Sequence, residues 1–314
     1  MKLLSPLLGY ALKSICYPLE YIAGQSVFSL PAVPNLTVIR DQPYGAHPLQ
    51  KLDIYSKPPA QKVKRPVIVF VHGGGWVIGD KTIFHTLCQR FAAQDYLVFN
   101  VNYRLAPQCL YTQQIQDVGL ALKWVIQNCS EYQGDHQCIF LAGDSSGANL
   151  ITTYSTALAH PYLRNALGIK AAISMEQLKG LLLIFGIFDL AKGFFSFSPL
   201  IRHYNEIFLG STPESYDEWV EIASPLRHLH PNLPPFFITA GEVDPLFSQS
   251  VMLAQCLKSM PHEYVTSFFS KEQYPDARAL FFSFLHKRYA QEALKEASLF
   301  LHFFAKNNPR STLS

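Results

Sequence analysis

The hydrophobic pattern of the chain alternates between short, fully apolar runs and stretches with apolar residues at helical spacing. The runs predict buried strands, because a strand covered on both faces has no polar side. The predicted strands are Val67–Val71, Leu97–Tyr103, Cys138–Ala142, Leu181–Phe188, Phe236–Ala240 and Tyr264–Phe269. The predicted helices are Gln114–Gln127, Ala148–Ala159, Val251–Ser259 and Tyr289–Ala305. The alternation predicts an α/β fold with a doubly wound, mostly parallel sheet.

Two segments, residues of about 1–40 and 191–222, do not follow this alternation. Insertions on an α/β body often cover the ligand crevice at the carboxyl ends of the strands. The stretch Phe194–Ile207 is too aromatic for a solvated loop, which favours a cap over an ordinary surface loop. We therefore predict a single domain over residues 1–314, with a helical cap built from both segments.

Composition narrows the function classes. The chain has 314 residues and a net charge of only +3, without a basic tract, so nucleic acid is not an expected partner. Its apolar runs are shorter than the roughly 20 residues that span a bilayer. Residues 1–30 begin like a secretory signal, but Tyr10, Lys13 and Glu20 interrupt the apolar run. We expect this segment to lie on the fold, with weak membrane-surface contact allowed. The expected compartment is the cytoplasm, and secretion is the alternative.

The six cysteines and the remaining histidines do not indicate a metal or disulfide framework. No cysteine pair has the CxxC spacing of zinc or redox sites, so free and mostly buried thiols are expected. His228 and His230 form the one close histidine pair outside the motifs, and we interpret them as loop residues. We predict that no metal and no organic cofactor is required.

A nucleophile motif, Gly143-Asp144-Ser145-Ser146-Gly147, lies between a predicted strand and a predicted helix. This is the context that G-x-S-x-G requires, because the tight turn leaves no room for side chains at the glycines. The turn presents the Ser145 hydroxyl at the helix N-terminus, where developing negative charge is favoured. Ser145 is therefore the candidate nucleophile, and a glycine-rich structural turn is the alternative.

A second glycine motif, His72-Gly73-Gly74-Gly75-Trp76, follows the predicted strand Val67–Val71. Consecutive glycines let backbone N–H groups approach a ligand closely. We predict an oxyanion hole formed by the N–H groups of Gly74, Gly75 and Ser146, with a register that includes Gly73 as the alternative. A phosphate cradle does not fit, because no Lys-Ser/Thr follows the glycines. His72 is expected to hold the loop by hydrogen bonds, and Trp76 and Asp144 are expected to lie near the site.

The two motifs together resemble those of the hormone-sensitive-lipase-like esterases of the α/β-hydrolase superfamily. The stretch from Asn102 to Pro107 looks like that family's YRLAPE segment, and Asp117 falls where the family has an acidic residue. Gly241–Leu246 resembles its G-x-x-DPL motif. Trp76 and the stretch Leu52–Tyr55 are also similar to kynurenine-formamidase-like and prenylcysteine-methylesterase-like relatives. The resemblance covers about Leu52 to Leu301 and implies an α/β-hydrolase fold.

The resemblance also places the acid and the base of a catalytic triad. Asp244 follows a predicted strand and would orient a histidine, although an N-cap role is the alternative. The family places that histidine before the last helix, where this chain has Ala279. His262 comes before the strand, at the wrong end, and His286 is a fallback that needs a rearranged loop. We favour an engineered substitution of the base over natural loss, because the rest of the machinery is intact.

The expected activity is that of a serine carboxylesterase acting on small to medium apolar esters through an acyl-enzyme. We expect the chain as it stands to be inactive or crippled, because its general base is missing. Amide or formamide hydrolysis on the same machinery is one alternative. Non-catalytic ligand binding is the other. A small-molecule ester is the expected partner.

Overall fold

An eight-stranded sheet carries the fold in the computed structural model, which describes residues 33–58, 64–192, 199–212, 214–278 and 281–307. The strands are β1 (Thr37–Pro43), β2 (Lys51–Ser56), β3 (Arg65–Val71), β4 (Leu97–Val101), β5 (Gly134–Asp144), β6 (Leu178–Ile184), β7 (Phe236–Gly241) and β8 (Tyr264–Phe269). Their order in the sheet is β1-β2-β4-β3-β5-β6-β7-β8. All pairs from β4 to β8 are parallel, which confirms the predicted mostly parallel sheet.

Helices cover both faces of this sheet. They are α1 (His85–Ala92), α2 (Tyr111–Asn128), α3 (Ser145–Ala159), α4 (Pro161–Leu167), α5 (Pro199–Leu209), α6 (Tyr216–Ile222), α7 (Phe247–Lys258) and α8 (Arg288–Lys306). Successive residues of a strand enter different cores: Val67 and Val69 pack with α2 and α3, whereas Ile68 and Phe70 pack with α1 and α8. A strand with a core on each side needs apolar residues at every position, which explains the continuous apolar runs.

The sequence reading was wrong at one edge of the sheet. β1, at the edge, and β2, between β1 and β4, are two antiparallel strands that the apolar runs did not predict. Thr37–Arg40, which we assigned to the cap, belongs to β1. An edge strand exposed on one face carries polar residues, so β1 has no apolar run to recognise. The predicted strand Leu181–Phe188 also ends early, at Ile184, where the chain turns towards the second cap segment.

The second predicted cap segment contains α5 and α6, while residues 193–198 and 213 lie outside the described part, as do residues 1–32 of the first segment. Buried polar side chains attach the start of the second segment to the body and join its two ends to each other. Gln249 on α7 accepts hydrogen bonds from the N–H groups of Phe188 and Asp189, at 2.9 and 2.8 Å. Ser224 accepts one from the N–H of Leu190 at 2.9 Å. The insertion therefore leaves the body and returns to it at the carboxyl end of β6.

Within the described ranges, no helix has both the length and the hydrophobicity needed to cross a membrane. The five described cysteines are free thiols, and four of them (Cys88, Cys109, Cys129 and Cys138) are buried. This agrees with the predicted free thiols, and Cys16 lies outside the described residues.

Candidate active site

The turn from β5 to α3 forms a tight elbow with Ser145 at its tip. Ser145 has a φ of +48°, a left-handed conformation that costs free energy for a residue with a side chain. A Cβ at Gly147 would stand 2.1 Å from the Val71 carbonyl oxygen, and one at Gly143 would stand 2.8 Å from the Gly147 carbonyl carbon. Both glycines are thus required by close backbone packing. Within the elbow, Ser145 is partly exposed, whereas its four neighbours in the motif are buried.

The residues on either side of the nucleophile hold the glycine loop. The Asp144 carboxylate accepts a hydrogen bond from the Gly73 N–H at 2.6 Å. The Ser146 hydroxyl oxygen accepts one from the Trp76 N–H at 3.2 Å. Asp144 and Ser146 are fully buried, so water does not compete for these bonds. The nucleophile turn and the glycine loop are therefore joined at both ends of the loop.

The two glycines between these attachment points present free donors. Gly74 and Gly75 have φ values of +115° and +56°, which glycine adopts with little strain. Among the described residues, neither N–H group has an acceptor, and both glycines are partly exposed. The Ser146 N–H belongs to the first turn of α3, where N–H groups lack acceptors within the helix. The structure thus leaves all three predicted oxyanion donors available.

His72 supports the loop from beneath. Its Nδ1 lies 2.7 Å from the Gly73 carbonyl oxygen and donates to it, and its ring stacks on Tyr103 at a centroid distance of 4.6 Å. The Tyr103 hydroxyl donates to the His72 carbonyl oxygen at 3.0 Å. Burial lowers the pKa of His72, which keeps the imidazole neutral. These contacts match the structural role expected from the sequence.

Asp244 lies just beyond the carboxyl end of β7 with only 4% of its surface exposed. Its Oδ1 accepts a hydrogen bond from the Leu246 N–H at 2.7 Å. Its Oδ2 is buried and has no hydrogen-bond partner among the described residues. Burial raises the pKa of this carboxyl to about 6, because the charged form loses its hydration. A buried carboxylate oxygen without a hydrogen-bond donor costs folding free energy. In a catalytic triad, the corresponding oxygen would accept a hydrogen bond from a histidine N–H.

The base position itself, Ala279, lies outside the described residues. The chain just before it, at Ala277, is buried against the end of β7: a Cβ on Gly241 would stand 1.8 Å from the Ala277 carbonyl oxygen. The fallback base, His286, is exposed and lies edge-on to Phe284 at a centroid distance of 6.2 Å. His262 lies before β8 and packs on Phe236, at the amino ends of the strands.

Helix α5 covers the glycine loop from the solvent side. Phe208 stacks on Trp76 with a centroid distance of 4.2 Å and an interplanar angle of 7°. One turn earlier, the Tyr204 hydroxyl donates a hydrogen bond to the Gly75 carbonyl oxygen. The cap over residues 191–222 stays a prediction, and nothing in the sequence singled out Tyr204.

Sequence reasoning also missed a buried polar network behind the loop. Gln114 on α2 donates to the Trp76 carbonyl oxygen at 2.8 Å. The Tyr111 hydroxyl bonds to Asn149 on α3 at 2.8 Å, and Asn149 in turn donates to the Ala223 carbonyl oxygen at 2.9 Å. Asn149 lies one turn after Ser145, and that position on the buried face of α3 was the available signal. The network connects α3 to Ala223, the residue that follows α6.

Comparisons with known proteins agree on the type of fold. The model of the BD-FAE family matches residues 52–257. Esterase LipQ of Mycobacterium tuberculosis is 29% identical over 235 residues, which cover 72% of this chain and 55% of LipQ. The probable isoprenylcysteine alpha-carbonyl methylesterase ICMEL2 of Arabidopsis thaliana is 33% identical over 162 residues, which cover 52% of this chain and 36% of that protein. The chain therefore spans about half the length of LipQ and less of ICMEL2.

The solved structures show the same architecture. Esterase B from Lactobacillus rhamnosis, in a complex described as a tributyrin phosphonate inhibited form, superposes with a TM-score of 0.87 at 20% identity and covers 99% of both chains. EstE1, a carboxylesterase from a metagenomic library, superposes with a TM-score of 0.69 at 22% identity, covering 94% of this chain and 97% of that one. The chain has an α/β-hydrolase fold, as the motif resemblance implied.

Proposed function

The chain belongs to the BD-FAE family, and we propose that it is a serine carboxylesterase that cleaves small to medium apolar esters. The observation that carries the proposal is the set of hydrogen bonds between the turn that holds Ser145 and the glycine loop of residues 72–76. Ser145 is held at a φ of +48°, and its neighbours Asp144 and Ser146 hold Gly73 and Trp76. This arrangement supports a nucleophilic Ser145 oxygen acting together with the N–H groups of the glycine loop, which is what acyl transfer requires.

In the proposed reaction, the Ser145 oxygen attacks the ester carbonyl carbon. The N–H groups of Gly74, Gly75 and Ser146 hold the oxyanion of the tetrahedral intermediate. A base must take the Ser145 proton and deliver it to the leaving alcohol, and then activate water to release the acid. Asp244 would orient that base through its buried Oδ2.

The base is the one part that this chain lacks at its motif position, which holds Ala279. Loss of the histidine from a serine hydrolase lowers turnover by roughly 10⁴- to 10⁶-fold. We therefore expect the present chain to acylate very slowly and to retain only residual activity from its oxyanion hole.

The substrate class follows from the cover of the site. Helix α5 packs aromatic side chains against the oxyanion loop: Phe208 is buried on Trp76, and Tyr204 keeps partial exposure. We infer that this aromatic cover favours an apolar acyl or aryl group. Relatives named as esterases and as a methylesterase support an ester substrate over an amide. We also infer that α5 and α6 act as a cap over one hydrolase domain, with residues 1–32 as a further candidate part.

The test is to restore the base with Ala279→His and to assay short-chain aryl esters. We expect a gain of at least 100-fold in turnover, because general-base catalysis contributes about 10²–10⁴-fold. The matched control is the same variant with Ser145→Ala, which should return the rate to background. A restored protein that is folded but no more active than the present chain would contradict the proposal.

A comparison of leaving groups separates the related activities. The restored variant should hydrolyse esters at least tenfold faster than N-formyl amides of the same size, because the relatives named as esterases support an ester over an amide. A preference for the N-formyl substrates would instead assign formamide hydrolysis. Binding of both without turnover would assign a non-catalytic role.

We further propose the cytoplasm as its compartment, with membrane-surface contact limited to residues 1–30. The five free thiols support a reducing compartment, where disulfides do not persist. Fractionation of cells that express the full chain tests this: recovery in the secreted fraction would contradict it.

A further inference from the structure

We propose that this chain pairs with a second copy of itself, as a two-fold symmetric dimer, through the outer face of α8 and the free edge of β8. The inference goes beyond the proposed esterase function, because none of the residues that carry it belongs to the candidate active site. It follows from an apolar groove, from the open edge of the sheet and from the order of charges along α8.

The groove lies between α8 and β8 and has a volume of about 760 Å³. The rings of Phe300 and Phe304, with centroids 4.7 Å apart, are buried beneath it. Around them, Val265 is 43% exposed, Leu299 is 62% exposed and Phe303 is 55% exposed. Single exposed apolar side chains are normal on a protein surface, but three around one groove indicate a surface that another molecule covers.

The open edge of β8 adjoins this groove. β8 is the last strand of the sheet, and among the described residues β7 is its only strand partner. An edge strand offers a row of backbone N–H and C=O groups to another chain, and proteins usually protect it with charged side chains or prolines. β8 contains neither, and its exposed positions are Val265 and Thr266. The edge therefore adds backbone hydrogen-bonding groups to the apolar surface beside it.

The charges along α8 favour a second copy of this chain as the occupant. Glu296, Leu299, Phe303 and Lys306 are all exposed and follow one another at spacings of three or four residues, so they lie on one face of the helix. The pair Leu299 and Phe303 and the pair Glu296 and Lys306 share one midpoint, at Leu301.

This shared midpoint makes the face complementary to itself. In a two-fold dimer, the same patch of both copies meets, and two α8 helices can pack antiparallel about an axis at the level of the midpoint. Leu299 then lies opposite Phe303 of the second copy, and Glu296 lies opposite Lys306 of the second copy. Each apolar contact and each pair of opposite charges occurs twice. A partner of unrelated sequence would not account for this symmetry.

Sedimentation velocity of the full chain tests the oligomeric state. At about 50 µM we expect a species of twice the 35.4 kDa mass of the chain. Leu299→Glu should raise the dissociation constant of the dimer at least 100-fold, because it places a carboxylate in the apolar contact twice per dimer. The matched control is Leu120→Glu, at a leucine of α2 that is 42% exposed, and it should leave the dissociation constant unchanged. Circular dichroism checks that both variants are folded.

Charge reversal tests the antiparallel arrangement without placing a charge in the groove. Glu296→Lys and Lys306→Glu should each raise the dissociation constant about threefold to tenfold, because each sets like charges opposite one another twice. The double variant, which exchanges the two charges, should return to the original value. A mixture of the two single variants should form heterodimers in preference to either homodimer, since opposite charges then meet in both contacts.

Three outcomes would overturn the proposal. The first is a chain that stays monomeric at about 50 µM; if Leu299→Glu then lowered its melting temperature by several degrees, another part of the same chain would cover the groove. The second is a dimer that tolerates Leu299→Glu, which would place the interface elsewhere. The third is a dimer whose affinity does not respond to either charge reversal, which would contradict the antiparallel arrangement. None of these results depends on whether the chain hydrolyses esters.

Discussion

The hydroxyl of Tyr204 donates a hydrogen bond to the carbonyl oxygen of Gly75. The peptide unit that carries this carbonyl also carries the Trp76 N–H, which bonds to the Ser146 hydroxyl oxygen at 3.2 Å. One peptide of the oxyanion loop is thus held at its oxygen by the covering helix α5 and at its nitrogen by the nucleophile helix α3. In a glycine-rich loop, where peptide planes rotate easily, two opposed bonds fix the orientation of the neighbouring Gly75 N–H.

We therefore predict that Tyr204→Phe lowers kcat about fivefold in the Ala279→His background and leaves KM within twofold. A neutral hydrogen bond contributes about 1 kcal/mol, and the effect falls on kcat because the donors act on the transition state. Steady-state kinetics with a short-chain ester measure it. Tyr162→Phe, at a 62% exposed position, is the matched control. A rise in KM at constant kcat would instead assign Tyr204 to substrate binding.

A second prediction concerns Gly147. Gly147→Ala should destabilise the protein by more than about 4 kcal/mol or prevent folding, because the new Cβ meets the Val71 carbonyl oxygen at 2.1 Å. Gly119→Ala in α2 is the control, since its Cβ meets nothing nearer than a Tyr154 ring carbon at 3.2 Å. That change should alter the unfolding free energy by about 1 kcal/mol or less. Chemical denaturation of both variants decides, and equal stability would disprove the packing argument.

A third prediction concerns pH. The Asp244 carboxyl has a pKa raised by burial to about 6, above its usual value, so the folded protein favours the protonated form. Its stabilising contribution is complete below about pH 4, the unfolded pKa, and is lost as the pH rises through about 6. Asp244→Asn should therefore remove a fall of about 1–3 kcal/mol in unfolding free energy between pH 4 and pH 7. Denaturation series at several pH values measure this difference.

The control for the pH series is Asp95→Asn, whose carboxylate is exposed and whose φ of +67° suits asparagine equally well. It should follow the present chain at every pH. An Asp244→Asn variant that loses stability with rising pH as the present chain does would show that Asp244 is not the group responsible.

A fourth prediction concerns the ion pair beneath the loop that follows β4. Arg104 donates from Nε and Nη2 to the two oxygens of Asp117, at 2.8 and 2.6 Å, and Asp117 is fully buried. Arg104→Lys should cost about 1–3 kcal/mol of unfolding free energy, because an ammonium group cannot make both bonds. Arg288→Lys, in the exposed pair with Glu292, should change it by less than about 0.5 kcal/mol. Thermal melts compare the two, and equal effects would contradict the prediction.

Much of the molecule could be predicted from local patterns. Buried parallel strands are recognisable because each has a core on both faces, as Val67–Val71 shows. The elbow was predictable because its glycines are required by close contacts with backbone atoms. Backbone atoms are the same whatever the surrounding sequence, so the glycine pattern can be recognised without the structure. β1 was missed because its exposed, polar residues differ little from those of a loop.

The parts that could not be predicted depend on contacts between distant segments. Tyr204 and Gly75 are 129 residues apart in sequence, and no pattern in either segment indicates that they meet. In the sequence, Asn149 likewise looks like an ordinary helix residue. Only the structure shows that its side-chain amide donates hydrogen bonds to the carbonyl oxygens of Ile187 and Ala223. The buried, unpartnered Oδ2 of Asp244 is also visible only in three dimensions. The sequence predicts a missing histidine at position 279, and we propose Oδ2 of Asp244 as the acceptor that it would have bonded.

The attachment of Gly73 and Trp76 to the two neighbours of Ser145 makes the alcohol and the anion-binding amides one rigid unit that does not involve position 279. Under the proposed function, recognition of an ester and its chemical conversion are separable in this chain. We expect it to hold an intact ester long enough for the bound geometry to be observed, which a fully competent hydrolase does not allow. The residue at position 279 would then decide whether the same scaffold acts as a receptor or as a catalyst.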